Sequence, residues 1–543
     1  MSALIIRKAI AMNRLLPLLA LATALLLTAA AHAAAPGISA STTHTFNLTA
    51  QPAYLTQPDG QSVYSWGYGC TNTTNLTFVP TTTTTPFCNT MQVPGPTLVV
   101  TEGDAVTVIL TNGLPTSAGN TSILFPGFTL TSTCTTAQQG LLACEAAPGG
   151  TVTYTFTAST PGTRAYYSGT QGDLQVEMGL YGAIIVLPSG APTNGSCPTH
   201  NTAAGLNTAG TALAAGGESD FRLSPTGAAY HLTQSCYDRE YLFQFSEMDP
   251  NIHEQALAQV TARGTCTAGA SGCSLEVPTE PYHPGYFMIN GRSMPDDMDS
   301  NYAAQYPHQP YNGNPHMHPG ELVLLRIIGQ GRWQHPFHEH GNHVRILGRD
   351  GNLILASATA GEQNLAGPLL FTTTTTPGLA MDGIFQWTGK GLNWDAYGHN
   401  PASSDALAKL PCTPDANGYN SVTTALNYFE WCQDHNKPVQ AAPFGDVAGG
   451  GPVTLPDPNL FTNGAWYGGS PYLGPDATVR ATGPTGTTPP SGTIANSPTG
   501  EAGFAFMWHS HNEREITTNN IFPGGMLMMM LVDSREFQID ESF

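Results

Sequence analysis

Charged side chains are scarce in this chain of 543 residues, and basic ones are the scarcest. Asp, Glu, Lys and Arg make up 10% of the sequence, with 18 Lys and Arg against 38 Asp and Glu. The formal net charge of −20 leaves no basic surface for a polyanion, which excludes nucleic acid as a partner. Beyond the first 33 residues no apolar run is long enough to cross a membrane, so we predict no membrane span.

Turn-forming residues are abundant by contrast. The chain has 59 Gly and 43 Pro, together with many Thr. This composition is typical of short strands joined by frequent turns, and not of long helices. A chain of this length predicts roughly two to four domains.

The N-terminal segment has the features of a secretory signal peptide. Arg7, Lys8 and Arg14 precede the apolar run LLPLLALATALLL, and the small residues of AHA at 31–33 offer a cleavage site. Residues 1–33 are therefore predicted to be removed on export. The mature protein is expected in the periplasm or outside the cell.

All ten cysteines lie beyond this segment, and their number is even. An oxidising compartment favours disulfides, and free buried thiols are the alternative. Spacing alone leaves the connectivity open. Pairing neighbours along the chain gives five candidate disulfides: Cys70 with Cys88, Cys134 with Cys144, Cys197 with Cys236, Cys266 with Cys273, and Cys412 with Cys432.

An internal repeat organises the mature chain. PGPTLVVTEGDAVTVILTNGLP at 94–115 alternates apolar and polar residues between turn signals, and HPGELVLLRIIGQGRW at 318–333 has the same build. Such patterns predict half-buried strands. We predict a first domain at 34–195, a linker at 196–235 and a second domain at 236–543. A Gly/Pro-rich stretch at about 400–502 with little periodicity predicts a long loop insertion in the second domain.

Two H-x-H pairs occur at equivalent strand positions of the second copy. They are His338 with His340 and His509 with His511. Side chains at i and i+2 of a strand point to the same side, so each pair presents two imidazoles on one face, as a copper or zinc ion requires. The second copy alone is thus predicted to bind a metal ion. The equivalent residues of the first copy are not usual ligands: Leu124, Pro126, Tyr167 and Gly169.

Several sequence blocks resemble those of a known family. PGPTLVVTEGD, GLYGAIIV, INGRSMPD, HPFHEHGNHVRILGRDG and WHSHNERE are similar to blocks of multicopper oxidases of the two-cupredoxin-domain kind. The resemblance implies an all-β fold with two cupredoxin-like Greek-key sandwich or barrel domains. In that family a blue copper takes electrons from substrate, and a trinuclear copper cluster, held by eight histidines from two domains, reduces dioxygen to water. Such proteins often form trimers, so the resemblance implies a homo-oligomer.

Positions that match the family's ligands are only partly filled by ligand residues. Ser510 stands where the family has the cysteine whose thiolate forms the blue site, and a serine hydroxyl is a hard ligand that cannot replace it. The resemblance therefore implies copper in fewer ions than a full multicopper oxidase holds, with zinc as the alternative metal. By position, His338, His340, His509 and His511 match half of the trinuclear set, and His335 matches a blue-copper ligand. Glu515 stands where the second blue-copper histidine would be, and Met526 resembles the axial ligand; both are expected as accessory ligands.

Two functions from different classes compete. The first is an exported copper oxidoreductase that acts on metal ions or phenol-like reductants. The second is a non-catalytic cupredoxin-fold protein that binds metal or serves as an extracellular structural component. Ser510 and the missing first-domain histidines argue against standard turnover with dioxygen. A further pair, His316 and His318, precedes a strand, and we expect both at the surface without a ligand role.

Overall fold

Short β-strands make up most of the described chain, and the predicted β class is confirmed in this respect. The computed structural model describes residues 35–40, 43–71, 73–80, 88–197, 220–359, 364–390, 413–422, 430–433, 469–472, 478–479, 494–495, 503–533 and 539. The strands are β1 (Gly37–Ala40), β2 (Thr45–Thr56), β3 (Ser62–Cys70), β4 (Leu76–Val79), β5 (Leu98–Thr101), β6 (Ala105–Asn112), β7 (Thr131–Thr133), β8 (Thr151–Thr157), β9 (Gly162–Tyr167), β10 (Tyr181–Leu187), β11 (Leu223–Ala228), β12 (Cys236–Met248), β13 (Tyr286–Ile289), β14 (His316–Met317), β15 (Leu322–Gly329), β16 (Pro336–Glu339), β17 (Val344–Arg349), β18 (Asn352–Leu353), β19 (Leu369–Leu370), β20 (Thr372–Thr374), β21 (Ala380–Gln386), β22 (Gly469–Tyr472), β23 (Thr478–Val479), β24 (Ile494–Ala495), β25 (Gly503–Ser510) and β26 (Leu527–Asp533).

Four larger sheets carry these strands. The first half of the chain, which carries β1 to β10, contributes the orders β4-β1-β5-β10-β9 and β3-β2-β6-β8-β7, and the second half carries β11 to β26. The second half contributes β11-β12-β15-β21-β17-β18, with β13 added to β12 and β19 to β17, and β14-β26-β25-β16-β20, with β22 added to β25. Strands β23 and β24 pair with each other. Neighbours far apart in sequence, such as the parallel pair β12 and β15, need crossover connections.

Each half has its own hydrophobic core, because alternate side chains of its two sheets are apolar. Trp66 and Tyr154 are fully buried in the first core, and Trp508 and Met528 in the second. A third cluster, which includes Ile185, joins residues from both halves. Residues Ala33–Phe543 form one compact unit, and the predicted domain boundaries at 34–195 and 236–543 stay predictions.

A buried polar network also joins the two halves. Asp382 of β21 accepts hydrogen bonds from the Thr163 hydroxyl at 2.6 Å, the Thr163 backbone N–H at 3.1 Å and the Tyr230 hydroxyl at 2.7 Å. Arg326 of β15 lies 2.6 Å from Glu240 and 3.4 Å from Asp382. A buried carboxylate tolerates loss of water when such donors satisfy it.

A 14-residue helix was not identified from the sequence. Helix α2 (Pro250–Arg263) begins at Asp249, whose side chain accepts from the Asn251 backbone N–H, and ends before Gly264 at φ 52°. Pro at the first helical position and Gly beyond the last are the usual boundaries of a helix. The other helical segments are short: α1 (Gly172–Gln175) and the 3-10 turns Thr73–Asn75, Thr116–Ala118, Thr136–Gln138, Thr233–Ser235, Asp296–Met298 and Glu513–Ile516.

The internal repeat is visible in the strand pairing. Leu124 pairs antiparallel with Tyr167 in the first half, and His338 pairs antiparallel with His509 in the second. Leu124 corresponds to His338 and Tyr167 to His509 in the sequence repeat, and the two pairs occupy equivalent antiparallel positions in the structure. In the first half a β-carbon added at Gly169 would lie 2.8 Å from Leu124 Cγ, which means that Leu124 fills the space beside Gly169.

Four of the five predicted disulfides are confirmed, and every cysteine of the described residues is bonded. The fifth pair involves Cys412, which lies outside the described residues, as do the predicted signal peptide and most of the 400–502 insertion. No helix within the described ranges combines the length and apolarity needed to cross a bilayer.

Candidate metal centre

Two neighbouring strands carry the predicted metal-binding histidines. β16 runs antiparallel to β25, with His338 opposite His509. Because side chains alternate along a strand, His340 and His511 share the face of these two residues, whereas Ser510 points to the buried side. The structure therefore brings the four predicted histidines together.

Each of the four imidazoles lies close to at least two of the others. The ring centroid of His338 lies 4.6 Å from the centroids of His340 and His511 and 5.8 Å from the centroid of His509. The His509 centroid lies 5.1 Å from His340 and 5.0 Å from His511. His511 is exposed and the other three are buried. This group, which we call the histidine cluster, thus lies at the surface with one ring open to solvent.

Hydrogen bonds on the outer side of the cluster orient two of its rings. His509 Nδ1 lies 2.8 Å from the carbonyl oxygen of Ser510, which can only accept, so Nδ1 carries the proton and Nε2 the lone pair. His338 Nδ1 lies 3.0 Å from the Thr372 hydroxyl oxygen. Partners of this kind fix the ring orientation and tautomer of metal ligands.

Burial favours the uncharged form that ligates metals in His338 and His509. It is the main reason that the pKa of His338 is lowered to about 4, followed by the charges of His511 and His509. The pKa of His509 is also lowered, again mainly by burial, against the opposing hydrogen bond to Ser510.

The donor set fits a copper or zinc ion. His340 Nε2 and His509 Nε2 are 3.2 Å apart, and two nitrogens bound at about 2.0–2.1 Å to one tetrahedral ion are roughly 3.3–3.4 Å apart. The four rings do not converge fully on one point: within the described ranges, no group of three or more His, Cys, Asp or Glu side chains is arranged to hold one metal ion.

His335 lies between two buried carboxylates. Its Nε2 hydrogen-bonds Glu247 Oε2 at 3.0 Å, and its Nδ1 is 3.0 Å from Glu515 Oε2 in an ion-pair contact. Ser510 donates its hydroxyl to the same Glu515 oxygen at 2.5 Å. Burial alone would lower the pKa of His335, but the hydrogen bonds and charges of Glu247 and Glu515 outweigh it and raise the pKa to about 9. We call these four residues the His335 bridge.

Met526 lies beside the bridge in the second core, where it is fully buried. The Ser510 backbone N–H donates to the Met526 carbonyl at 3.0 Å, and the Met526 N–H donates to the Glu515 carbonyl at 2.7 Å. Glu339, between His338 and His340 in sequence, is also buried and hydrogen-bonds Thr373. Burial raises the pKa of Glu339 to about 8, against the Thr373 hydrogen bond.

The expected surface position of His316 and His318 is wrong. His316 pairs with the last long strand through β14, and its Nδ1 lies 2.6 Å from Asp533 Oδ2 in a buried ion pair. His318 is fully buried, with Nδ1 3.1 Å from the Asp533 carbonyl oxygen. Both histidines are buried by contacts with Asp533, which lies 215 to 217 residues further along the chain. The local sequence therefore gave no sign of their burial.

Two residues of this region were missed from the sequence. His343 is the fifth imidazole near the cluster: its ring lies 5.1 Å from Phe371, and its charge contributes to the lowered pKa of His338. The H-x-x-H spacing after His340 was the available signal. Glu247 was missed because its contact with His335 spans 88 residues, and no local pattern marks it.

Comparison with known proteins matches one segment of the chain to a family. Residues 71–191 match the model of the family described as multicopper oxidase. Similar relatives include L-ascorbate oxidase of Brassica rapa subsp. pekinensis, 40% identical over 96 residues. Others are Laccase-3 of Botryotinia fuckeliana, 38% identical over 94 residues, and iron transport multicopper oxidase FET3 of Saccharomyces cerevisiae, 35% identical over 154 residues.

The match to the multicopper oxidase family is thus shown for residues 71–191 and not for the chain as a whole. This segment lies in the first half, which lacks the histidine cluster.

The matches cover limited parts of each protein. The three relatives match over 18%, 17% and 28% of this chain and over 16%, 20% and 20% of their own lengths. Among solved structures, a blue copper oxidase from Nitrosomonas europaea aligns with 90% of this chain and 85% of its own at 14% identity, with a TM-score of 0.40.

Proposed function

We propose that this chain is a copper-binding protein that holds one copper ion through the histidine cluster. The contact among four imidazoles on two paired strands carries the proposal. Imidazole sites bind copper(II) more tightly than zinc in the usual affinity order, so copper is the preferred metal. The chain's own part is to hold His338 through Thr372 and His509 through the Ser510 carbonyl.

We further propose a modified oxidoreductase activity toward metal ions or phenol-like reductants. The names of the relatives support this substrate class, since they include a laccase and an iron transport multicopper oxidase. Bound copper would supply the one-electron chemistry, and the exposed ring of His511 offers the approach from solvent.

The alternative is a non-catalytic metal-binding or extracellular structural protein. Two observations favour it: Ser510 stands where the family has a thiolate, and the pair Leu124–Tyr167 occupies the position that His338–His509 takes in the second half. Oxygen consumption with an added phenol or ferrous ion separates the two functions. Turnover above that of free copper supports the oxidoreductase, and none supports the alternative.

Export and self-association belong to the same proposal. The signal-peptide pattern at 1–33 supports a periplasmic or extracellular protein. A large exposed apolar ring beside the histidine cluster, Phe371 at 54% exposure and 5.6 Å from the ring of His338, supports a homo-oligomer, a trimer by analogy with the family, that covers this face. Light scattering of the purified mature chain tests the assembly, and a monomer at all concentrations contradicts it.

Copper content per chain tests the central claim. Wild type should bind about one ion through its four imidazoles, and alanine at any one of the four cluster histidines should weaken binding markedly. His283→Ala is the matched control because His283 is exposed and lies outside the cluster. If the four variants keep the wild-type copper content, the histidine cluster is not a metal site.

A further inference from the structure

The His335 bridge occupies the positions that match the family's blue-copper ligands. His335 matches one ligand histidine, Ser510 the cysteine and Glu515 the second histidine. In this chain the side chains bind one another: both ring nitrogens of His335 lie 3.0 Å from carboxylate oxygens, and the Ser510 hydroxyl donates to Glu515. With a carboxylate oxygen 3.0 Å from each of its two nitrogens, the ring of His335 has neither nitrogen open to a metal ion.

We infer that this position is a metal-free ionic bridge, in which His335, clamped between Glu247 and Glu515, takes the structural place of the copper ion. The inference concerns a second position and is independent of the proposed copper at the histidine cluster.

The carboxylates of the bridge are satisfied without a metal. Glu247 Oε1 accepts from the backbone N–H of Arg332 at 2.6 Å and of Trp333 at 2.9 Å, and from the Tyr282 hydroxyl at 3.2 Å. Glu515 Oε1 accepts from the Asn512 side-chain amide at 2.8 Å. A buried carboxylate with such donors needs no cation beyond His335.

The bridge also connects the segments that a metal ion would connect. Glu247 lies in β12, His335 directly before β16, Ser510 at the end of β25, and Glu515 in the 3-10 turn Glu513–Ile516. All four side chains are buried, and the ring of His335 is 0% exposed. Gly331 borders the bridge so closely that an added β-carbon would lie 2.4 Å from Glu247 Oε2, so the space around this carboxylate is filled.

His335→Gln separates the two roles of His335. Glutamine keeps a hydrogen-bonding side chain but loses the cation between the carboxylates. The variant should bind as much copper per chain as wild type, and its thermal unfolding midpoint should fall by several degrees, because breaking a buried ion pair leaves uncompensated charge. A loss of about one copper per chain in a folded variant, or an unchanged midpoint, overturns the inference.

Ser510→Cys tests the same position by spectroscopy. The inference predicts that the variant with added copper lacks the intense visible absorption of a thiolate–copper bond, because His335 remains held between Glu247 and Glu515. A strong band in this single variant overturns the inference. If His335→Gln does not fold, Glu515→Gln replaces it with the same two readouts, copper content and unfolding midpoint.

The failure of each claim has its own signature. If wild type binds no copper, the proposed function fails, while the unfolding midpoint of His335→Gln and the spectrum of Ser510→Cys still decide the bridge. If His338→Ala loses copper and His335→Gln does not, both claims stand.

Discussion

Thr372 offers a way to test the histidine cluster without removing a ligand. Its hydroxyl lies 3.0 Å from His338 Nδ1, and β20 pairs Thr372 directly with His338. Thr372→Val keeps the size and β-branching of the side chain, so the strand should be retained. The only group removed is the hydroxyl that orients the His338 ring.

The expected loss follows from the role of such partners. Removing a hydrogen-bond partner of a metal-ligating histidine typically weakens metal binding about 10- to 100-fold. In free energy this is roughly 1.4–2.7 kcal/mol. Titration of the apoprotein with copper against a competing chelator measures the dissociation constant directly.

Thr374→Val is the matched control. Thr374 lies in the same strand, is exposed and faces Pro336 across the pair, two residues away from His338. It should leave the dissociation constant unchanged. Equal constants for wild type and Thr372→Val, with both variants folded, would refute the idea that His338 binds copper in the orientation seen here.

Three further outcomes concern stability. Burial raises the pKa of Glu339 to about 8, so this carboxyl binds a proton in the folded state at pH values where it is ionised in the unfolded state, and the stability of the fold falls as pH rises through this window. In urea unfolding, the stability of Glu339→Gln relative to wild type should therefore be highest at about pH 9 and lowest at about pH 5. Asp382→Ala removes a partner of the buried Arg326 and should cost about 3–5 kcal/mol in the same assay. Replacing Cys197 and Cys236 by alanine removes a disulfide of sequence separation 39 and should lower the free energy of unfolding by about 4 kcal/mol through loop entropy. For each of these three variants, an unchanged denaturation midpoint under the stated conditions would contradict the prediction.

The fold class and the histidine cluster could be predicted from the sequence because both rest on short-range patterns. Strand alternation has a period of two, and an H-x-H pair within one strand needs no tertiary information to place two imidazoles on one face. The alignment of Leu124 with His338 and of Tyr167 with His509 then required only that both copies share one strand pairing, which they do.

The His335 bridge and the buried His316 could not be predicted because their partners are remote in sequence. Glu247 lies 88 residues from His335, and Asp533 lies 217 residues from His316. The residues next to a histidine in sequence do not indicate whether its ring faces a metal, a carboxylate or water, because this depends on how the ring is buried in the folded protein. Helix α2 was missed for a different reason: its boundary signals at Asp249, Pro250 and Gly264 are local, but the β-rich composition of the chain outweighed them.

The contact of Leu124 with Gly169 makes the order of substitutions matter for the first half. Any side chain at position 169 would meet Leu124 at 2.8 Å, so a histidine can enter there only after Leu124 has been replaced by a residue of another shape. Replacing Leu124 first, while Gly169 remains, leaves a gap in the packing, and such gaps are costly. Each single step toward a first half that carries ligand histidines at these positions is therefore unfavourable, and only a concerted change of both residues avoids the clash and the gap.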